Sequence, residues 1–222
     1  MSTSERAFES SPRRGDRRRW GNRQLLRSVK RCIDFVGAWL LIVLLPPVFF
    51  VIALLVVVDD GWPVIYRRRV VGQTGEFDAF KFRTMMRDAD SMLASHPALK
   101  AEFERNFKLK DDPRVTRVGA FLRKLSLDEL PQLFNVVRGQ MSLVGPRMIT
   151  AAELHKYGPH KQLLLSVKPG ITGYWQVRGR QNVSYEERVR MDLHYIGTWS
   201  LNLDMRILLE TPVKALKREG AF

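Results

Sequence analysis

Cysteine is nearly missing from this sequence. Cys32 stands alone in 222 residues, so no disulfide can close within the chain and no cysteine-based zinc site can form. Histidine is scarce too: His96, His155, His160 and His194 show no metal-ligand spacing and read as ordinary surface or core residues. There is no Walker motif, no Rossmann glycine fingerprint and no internal repeat, which removes the commonest nucleotide-binding scaffolds. Acidic residues are the minority, 23 against 37 lysines and arginines, for a formal net charge of +14. That balance asks for an anionic partner: nucleic acid, an anionic lipid surface, or a phosphorylated substrate. No nucleic-acid-binding module is present, and much of the basic charge lies beside an apolar segment, so nucleic acid is not the expected partner.

What is present suits one compact domain plus an anchor, with 45% hydrophobic residues to build a core. Residues 1–29 are polar and arginine-rich (Arg13, Arg14, Arg17, Arg18, Arg19, Arg23, Arg27), lack the apolar stretch of a cleavable signal, and read as a disordered basic arm. Its plain reading is a solvated charge run; its sharper one is attraction to anionic headgroups. From Phe35 to Val58, 24 residues carry no charge. As a straight helix they would run about 36 Å, enough for a hydrocarbon core of about 30 Å. Two features oppose a simple span. Pro46 and Pro47 sit at its centre, where each removes a donor and its ring clashes with the preceding turn, so a kink is expected. Both flanks are basic, Lys30 and Arg31 before and Arg67, Arg68 and Arg69 after, so neither side is easily placed outside. Residues 30–60 therefore read as a kinked re-entrant helix rather than a kinked span.

Residues 61–217 read as a compact cytoplasmic domain, predominantly helical α+β. The stretch after Asp59-Asp60-Gly61 suggests two short strands about a Gly72–Gly75 turn. Helices are expected over 84–95 and 98–107, and a loop over 111–117. In SLDELPQLFNVVRG, Leu130, Leu133, Phe134 and Val137 follow helical spacing, and Ser126 with Glu129 matches a capping box. Asp128 and Glu129 would then sit at a helix N-terminus, where negative charge is stabilised. The segments 142–147 and 167–180 read as ordered loops. Ser184 with Glu187 matches a second capping box, and a last helix is expected over 204–216, with Trp199 and its neighbours in the core or at a membrane interface.

The sharpest chemical constellation is Arg123-Lys124-Leu125-Ser126-Leu127-Asp128-Glu129. A carboxylate that attacks phosphorus must be ionised, partly desolvated and matched by cations that absorb the phosphate's charge. Asp128 could be that group, Arg123 a fork for phosphate oxygens, and Glu129 a hard ligand for Mg²⁺. The ordinary alternative is that acidic pairs favour first helical turns. Lys81 and Arg83 form a second cationic pair at a strand end, otherwise an exposed strand face. Arg147 and Arg180 lie in glycine-rich loops whose amides could receive a phosphate or nucleotide.

These segments together carry a resemblance. KRCIDF, the proline-broken apolar run, KFRTM, DPRVTRVGAFLRKLSLDELPQLFNVVRGQMSLVGPR, KPGITGYWQVRGR and SYEERVRMDLHYIGTWSLNLDMRILLET appear in the order found in bacterial sugar transferases, the monotopic phosphoglycosyl transferases. The chain resembles that family over residues 29–215. The resemblance implies a re-entrant anchor on the cytoplasmic face of the inner membrane, with Asp128 as nucleophile on a UDP-sugar and release of UMP. It implies transfer of the sugar 1-phosphate, of hexose type, to undecaprenyl phosphate, a polyprenyl carrier, for exopolysaccharide, capsule or O-antigen synthesis. Glu129 is implied as the Mg²⁺ ligand, Lys81 and Arg123 as phosphate contacts, and Arg147 as the arginine of the family's GPRP motif, a candidate for binding phosphate or nucleotide. Homo-oligomerisation stays open. Two departures stand out: Pro46-Pro47 replaces a Ser-Pro break, and Met148 replaces the proline after Arg147, which is expected to loosen that loop. A non-catalytic membrane adaptor is the competing reading.

Overall fold

The computed structural model describes residues 14–106, 109, 112–179 and 183–216. Arg180 and residues 1–13 lie outside the described residues. Helix α1 runs Arg14–Leu44 and α2 runs Pro46–Asp60. The arm expected to be unstructured over 1–29 is thus helical from Arg14 onward. Once a nucleus exists, each added residue costs little, and the Gln24, Leu25, Leu26 and Arg27 run consists of good helix formers.

At Leu45 (φ −102°, ψ 11°) the helix breaks. Pro46 and Pro47 have no amide hydrogen to offer the turn before them, yet at the first two positions of α2 none is needed. No single helix among the described residues is long and apolar enough to cross a membrane; Gln24–Leu44 and Pro46–Asp60 meet the length and composition together, bent by 66°. Val36, Leu40, Val43 and Leu44 on α1 and Phe50, Leu54 and Val58 on α2 are exposed, leaving a continuous apolar surface. The inner side of α2 is spoken for. Ile52 and Val56 pack with Val64, Phe82 and Leu122.

Strands β1 (Ile65–Gly72) and β2 (Gly75–Phe82) form the expected antiparallel hairpin, with Gly72 opposite Gly75 and Tyr66 opposite Lys81. Short helices α3 (Ala89–Ser95) and α4 (Pro97–Asn106) follow, then α5 (Arg117–Lys124), capped by the Thr116 hydroxyl on the Gly119 amide. A 3₁₀ turn, Leu127–Glu129, leads to α6 (Gln132–Val137). The helix expected across 126–139 is therefore split. Phe134, expected on its buried face, is exposed and stacks edge-on with Phe49, while Gln132, Asn135 and Val136 are buried.

The glycine-rich segments are more ordered than loops. Strand β3 (Ser142–Val144) pairs in parallel with β4 (Gly170–Thr172), separated by a 3₁₀ segment (Ala151–His160, kinked at Gly158) and α7 (Lys161–Leu165). The backbones approach so closely that a Cβ on Gly170 would lie 2.1 Å from the Gly145 nitrogen. Helices α8 (Tyr174–Arg178), α9 (Tyr185–Thr198) and α10 (Leu201–Leu216) complete the described residues. On α9 the Ser184–Glu187 capping box forms as expected.

The foot of α1 is locked into this domain by polar contacts. Lys30 Nζ donates to Asp204 Oδ2 at 2.7 Å and to the Val144 carbonyl at 2.9 Å. Asp204 also accepts from Tyr195 (2.7 Å) and Trp199 (3.0 Å), and the partly buried Trp199 packs against the main core. Asp34 accepts from the Ser142 hydroxyl and the Leu143 amide, and Arg31 caps the carbonyls of Val136 and Val137. Around this foot lies the main core, with Ala38, Val70, Phe77, Ala79, Leu133, Val136, Met141 and Ile207.

Candidate active site

The turn that carries the acidic pair is made by an unusual backbone. Ser126 adopts φ 57°, ψ 24°, the left-handed region that a residue with a side chain enters at a cost of roughly 1–2 kcal/mol. That reversal ends α5 and throws Leu127–Glu129 back toward the hairpin. The Ser126 hydroxyl makes no cap, so the expected capping box is absent, and the pair sits on a 3₁₀ turn rather than in the first turn of an α-helix. The Glu129 carboxylate is taken elsewhere: Lys81 Nζ lies 2.6 Å from Glu129 Oε1 and 3.6 Å from Asp128 Oδ2. A charged partner across the site outbids a neutral backbone amide.

Asp128 is buried, with 6% of its surface exposed. Burial holds its carboxyl above the usual carboxylate range, and Glu129 adds to this, while Lys81 and Arg123 oppose it. Burial acts on Glu129 in the same sense, but Lys81, Arg147 and Arg68 outweigh it and hold that carboxyl below its usual range. The acidities of two adjacent carboxyls are thereby driven apart, Asp128 upward and Glu129 downward. Arg123 donates from Nε to the Thr84 hydroxyl at 2.9 Å; burial lowers its pKa while Asp128 and Asp112 counteract. As a guanidinium it remains charged at neutral pH.

Lys81, Arg123 and Arg147 thus gather about the pair. Arg83 does not join them. Its guanidinium clamps the end of α2, donating to the carbonyls of Asp60 (3.0 Å) and Gly61 and pairing with the Asp60 carboxylate at 3.0 Å. In the loop of Met148 the methionine side chain is buried, Arg147 bridges to Gly170, and the Arg147 amide meets Asp192 Oδ1 at 3.3 Å.

Several residues that spacing did not single out complete the surroundings. Arg68 donates to Glu153 at 2.9 Å, and burial together with the nearby Arg147 lowers its pKa. Alternation along β1 was the available signal: Arg67 reaches over the Phe80 ring and Arg69 pairs with Glu76 and Asp78, while Arg68 turns to the other face. On α9, Tyr185, Arg188, Asp192 and Tyr195 fall at helical spacing on one side, a polar stripe where a core stripe is the norm. Asp192 accepts from Tyr157 at 2.8 Å, and burial lifts its carboxyl to about 6. Arg188 lies 3.8 Å over the Tyr185 ring, and Arg147 5.0 Å over Trp175.

A buried and a half-buried acid of divergent acidity, crossed by one lysine and flanked by arginines, are an arrangement suited to handling phosphate esters. The chain belongs to the bacterial sugar transferase family, whose profile matches residues 25–218. It is similar to a UDP-galactose-lipid carrier transferase of Erwinia amylovora, at 46% identity over 200 residues, 88% of this chain and 42% of that one. Its identity to an undecaprenyl-phosphate galactose phosphotransferase of Salmonella typhimurium is 49% over 168 residues, 73% and 35% of the two chains. An exopolysaccharide production protein of Sinorhizobium fredii is 46% identical over 195 residues, 85% and 86% of the two chains. The chain therefore spans less than half the length of the first two relatives and most of the third.

Proposed function

We propose that this protein transfers a sugar 1-phosphate, of hexose type, from a UDP-sugar to undecaprenyl phosphate through an aspartyl-phosphosugar on Asp128. The observation that carries the reading is the buried Asp128 beside the half-buried Glu129, with Lys81 reaching both carboxylates. An Asp128 oxygen bonds to the sugar-bearing phosphorus. The bond from that phosphorus to the bridging oxygen breaks, and the electron pair leaves on UMP. A lipid-phosphate oxygen then attacks the same phosphorus, and the acyl phosphate P–O bond breaks to free Asp128. Lys81 and Arg123 absorb charge on the phosphoryl oxygens throughout. The relatives named for galactose transfer to a lipid carrier and for exopolysaccharide production support this assignment.

Among the described residues no three His, Cys, Asp or Glu side chains gather into a metal cage. Magnesium needs none, because it takes one or two carboxylates and completes its shell with water and phosphate oxygens. Glu129, backed by Asp128, fits that demand and would hold Mg²⁺, which when bound supplies charge neutralisation on the diphosphate. The bent pair α1–α2, with its exposed apolar surface and basic flanks, is read as a re-entrant anchor entering and leaving on the cytoplasmic face of the inner membrane. There a soluble nucleotide and a lipid phosphate can reach one carboxylate.

The test is UMP release from a panel of UDP-sugars with Mg²⁺ and undecaprenyl phosphate. Asp128→Asn should cut turnover by at least roughly a thousandfold, as loss of a nucleophile does. Labelled sugar should remain on the wild-type protein when lipid is withheld. Full turnover by the variant would remove Asp128 as nucleophile, and a protein that never acquires label or releases UMP would be an adaptor.

A further inference from the structure

Four nitrogen donors beside the acidic pair have no acceptor. Arg147 Nε, Arg188 Nε and Nη2, and Trp175 Nε1 are shielded from solvent and make no hydrogen bond among the described residues. They stand around one stack of rings and guanidinium groups: the Arg147 and Arg188 guanidinium carbons lie 5.0 and 5.8 Å from the Trp175 ring, and Arg188 also covers Tyr185. The nearby acids are committed. Glu153 receives Arg68, the Thr150 amide and hydroxyl, and the Tyr185 hydroxyl, and stays 3.8 Å from Arg188 Nη2, beyond hydrogen-bond reach. Asp192 receives Tyr157 and the Arg147 amide. Burying donors without acceptors is costly, so a cluster of them calls for a ligand that only accepts.

We propose that Arg188 and Trp175, with Arg147, form an oxyanion subsite that holds the phosphate of the departing nucleotide, an assignment that rests on the function proposed above. A phosphate monoester offers several acceptor oxygens and a double negative charge, which matches a set made only of donors. Arg68 and Arg188 face the same Glu153 carboxylate, at 2.9 and 3.8 Å, and Arg68 and Arg147 also act on the charge of Glu129, which ties the subsite to the reacting carboxylates. Its walls come from α8, α9 and the segment after β3, with nothing from the bent pair α1–α2, so it faces the water-soluble substrate rather than the lipid. Holding that phosphate stabilises the charge that the bridging oxygen gains as its bond to the sugar-bearing phosphorus breaks.

The experiment is calorimetric titration of the full chain in detergent micelles with UMP, with uridine, and with a short-chain polyprenyl phosphate. Arg188→Gln should weaken UMP binding roughly 10- to 100-fold, as loss of charge-assisted bonds does, and leave uridine and the lipid phosphate unchanged. Trp175→Phe keeps an aromatic face but removes the Nε1 donor, and should weaken UMP a few-fold; it decides the matter if Arg188→Gln does not fold. Unchanged UMP affinity in the folded variants, an equal loss for uridine, or a loss confined to the lipid phosphate would each overturn the subsite. UMP release measured in parallel separates the two ideas. Robust release with Arg188-independent UMP binding leaves the transferase and removes the subsite. Arg188-dependent UMP binding without release from any UDP-sugar does the reverse.

Discussion

Replacing Asp204 with alanine removes one acceptor from three donors at the place where α1 meets the catalytic domain. Asp204 is 4% exposed and receives Lys30 at 2.7 Å, Tyr195 at 2.7 Å and Trp199 at 3.0 Å. Breaking a buried ion pair from one side costs about 3–5 kcal/mol, because the remaining charge and donors stay desolvated. The Lys30 side chain keeps 19% exposure, so part of its charge can find water and the lower half of that range is expected. For a chain of this length each kcal/mol moves the melting temperature by about 2–4 °C, so Asp204→Ala should melt roughly 6–16 °C lower. Thermal unfolding in detergent micelles measures it. Lys30→Met with Asp204→Leu removes both charges together and should be markedly more stable than the two single losses added. A melting point within about 2 °C of wild type for Asp204→Ala, or strict additivity in the cycle, would refute the claim that this contact fastens the helix.

Two further outcomes follow from the site. Burial already holds the Asp128 carboxyl high and Lys81 pulls it down, so Lys81→Met raises it further. The nucleophile must be ionised, so UMP release should fall at least about tenfold at the acidic end of the profile and recover in part as pH rises; an acid limb that does not move upward would contradict the pairing. A Cβ on Gly119 would lie 2.1 Å from the Thr84 carbonyl oxygen, whose residue also carries the hydroxyl that holds Arg123. Gly119→Ala should therefore cost at least about 2 kcal/mol in unfolding measurements and lower turnover with it, and wild-type stability would show that α5 can shift freely.

One four-residue signature means different things at two places in this chain. Ser184 and Glu187 cap α9, as their spacing suggests. Ser126 and Glu129 do not cap anything, because Lys81, 48 positions earlier, claims the Glu129 carboxylate and Ser126 turns left-handed. Local spacing contains the first result; the second belongs to a strand brought in from elsewhere. The hairpin and the bend at Pro46-Pro47 were legible because glycine, proline and alternation act locally. The β3–β4 pair was not, since three residues per strand joined across 25 intervening ones leave no periodic trace. Lys81 and Arg83 looked equivalent in KFRTM, and only tertiary packing sends one to the carboxylates and the other to the end of α2. The resemblance named Asp128, Lys81, Arg123 and Arg147 but gave no hint of Arg188, whose role depends on an arginine–aromatic stack assembled from α8 and α9.

The far end of α2 is tethered twice: the Asp59 carboxylate receives the Val118 amide at the start of α5, and Arg83 grips Asp60 and Gly61. Helix α5 in turn carries Arg123. For a chain seated in a bilayer as proposed, the outgoing limb is a stiff strut and not a free hinge. How deep the elbow at Leu45 sinks then sets the altitude of Arg123, so lipid thickness becomes a mechanical input to phosphoryl chemistry.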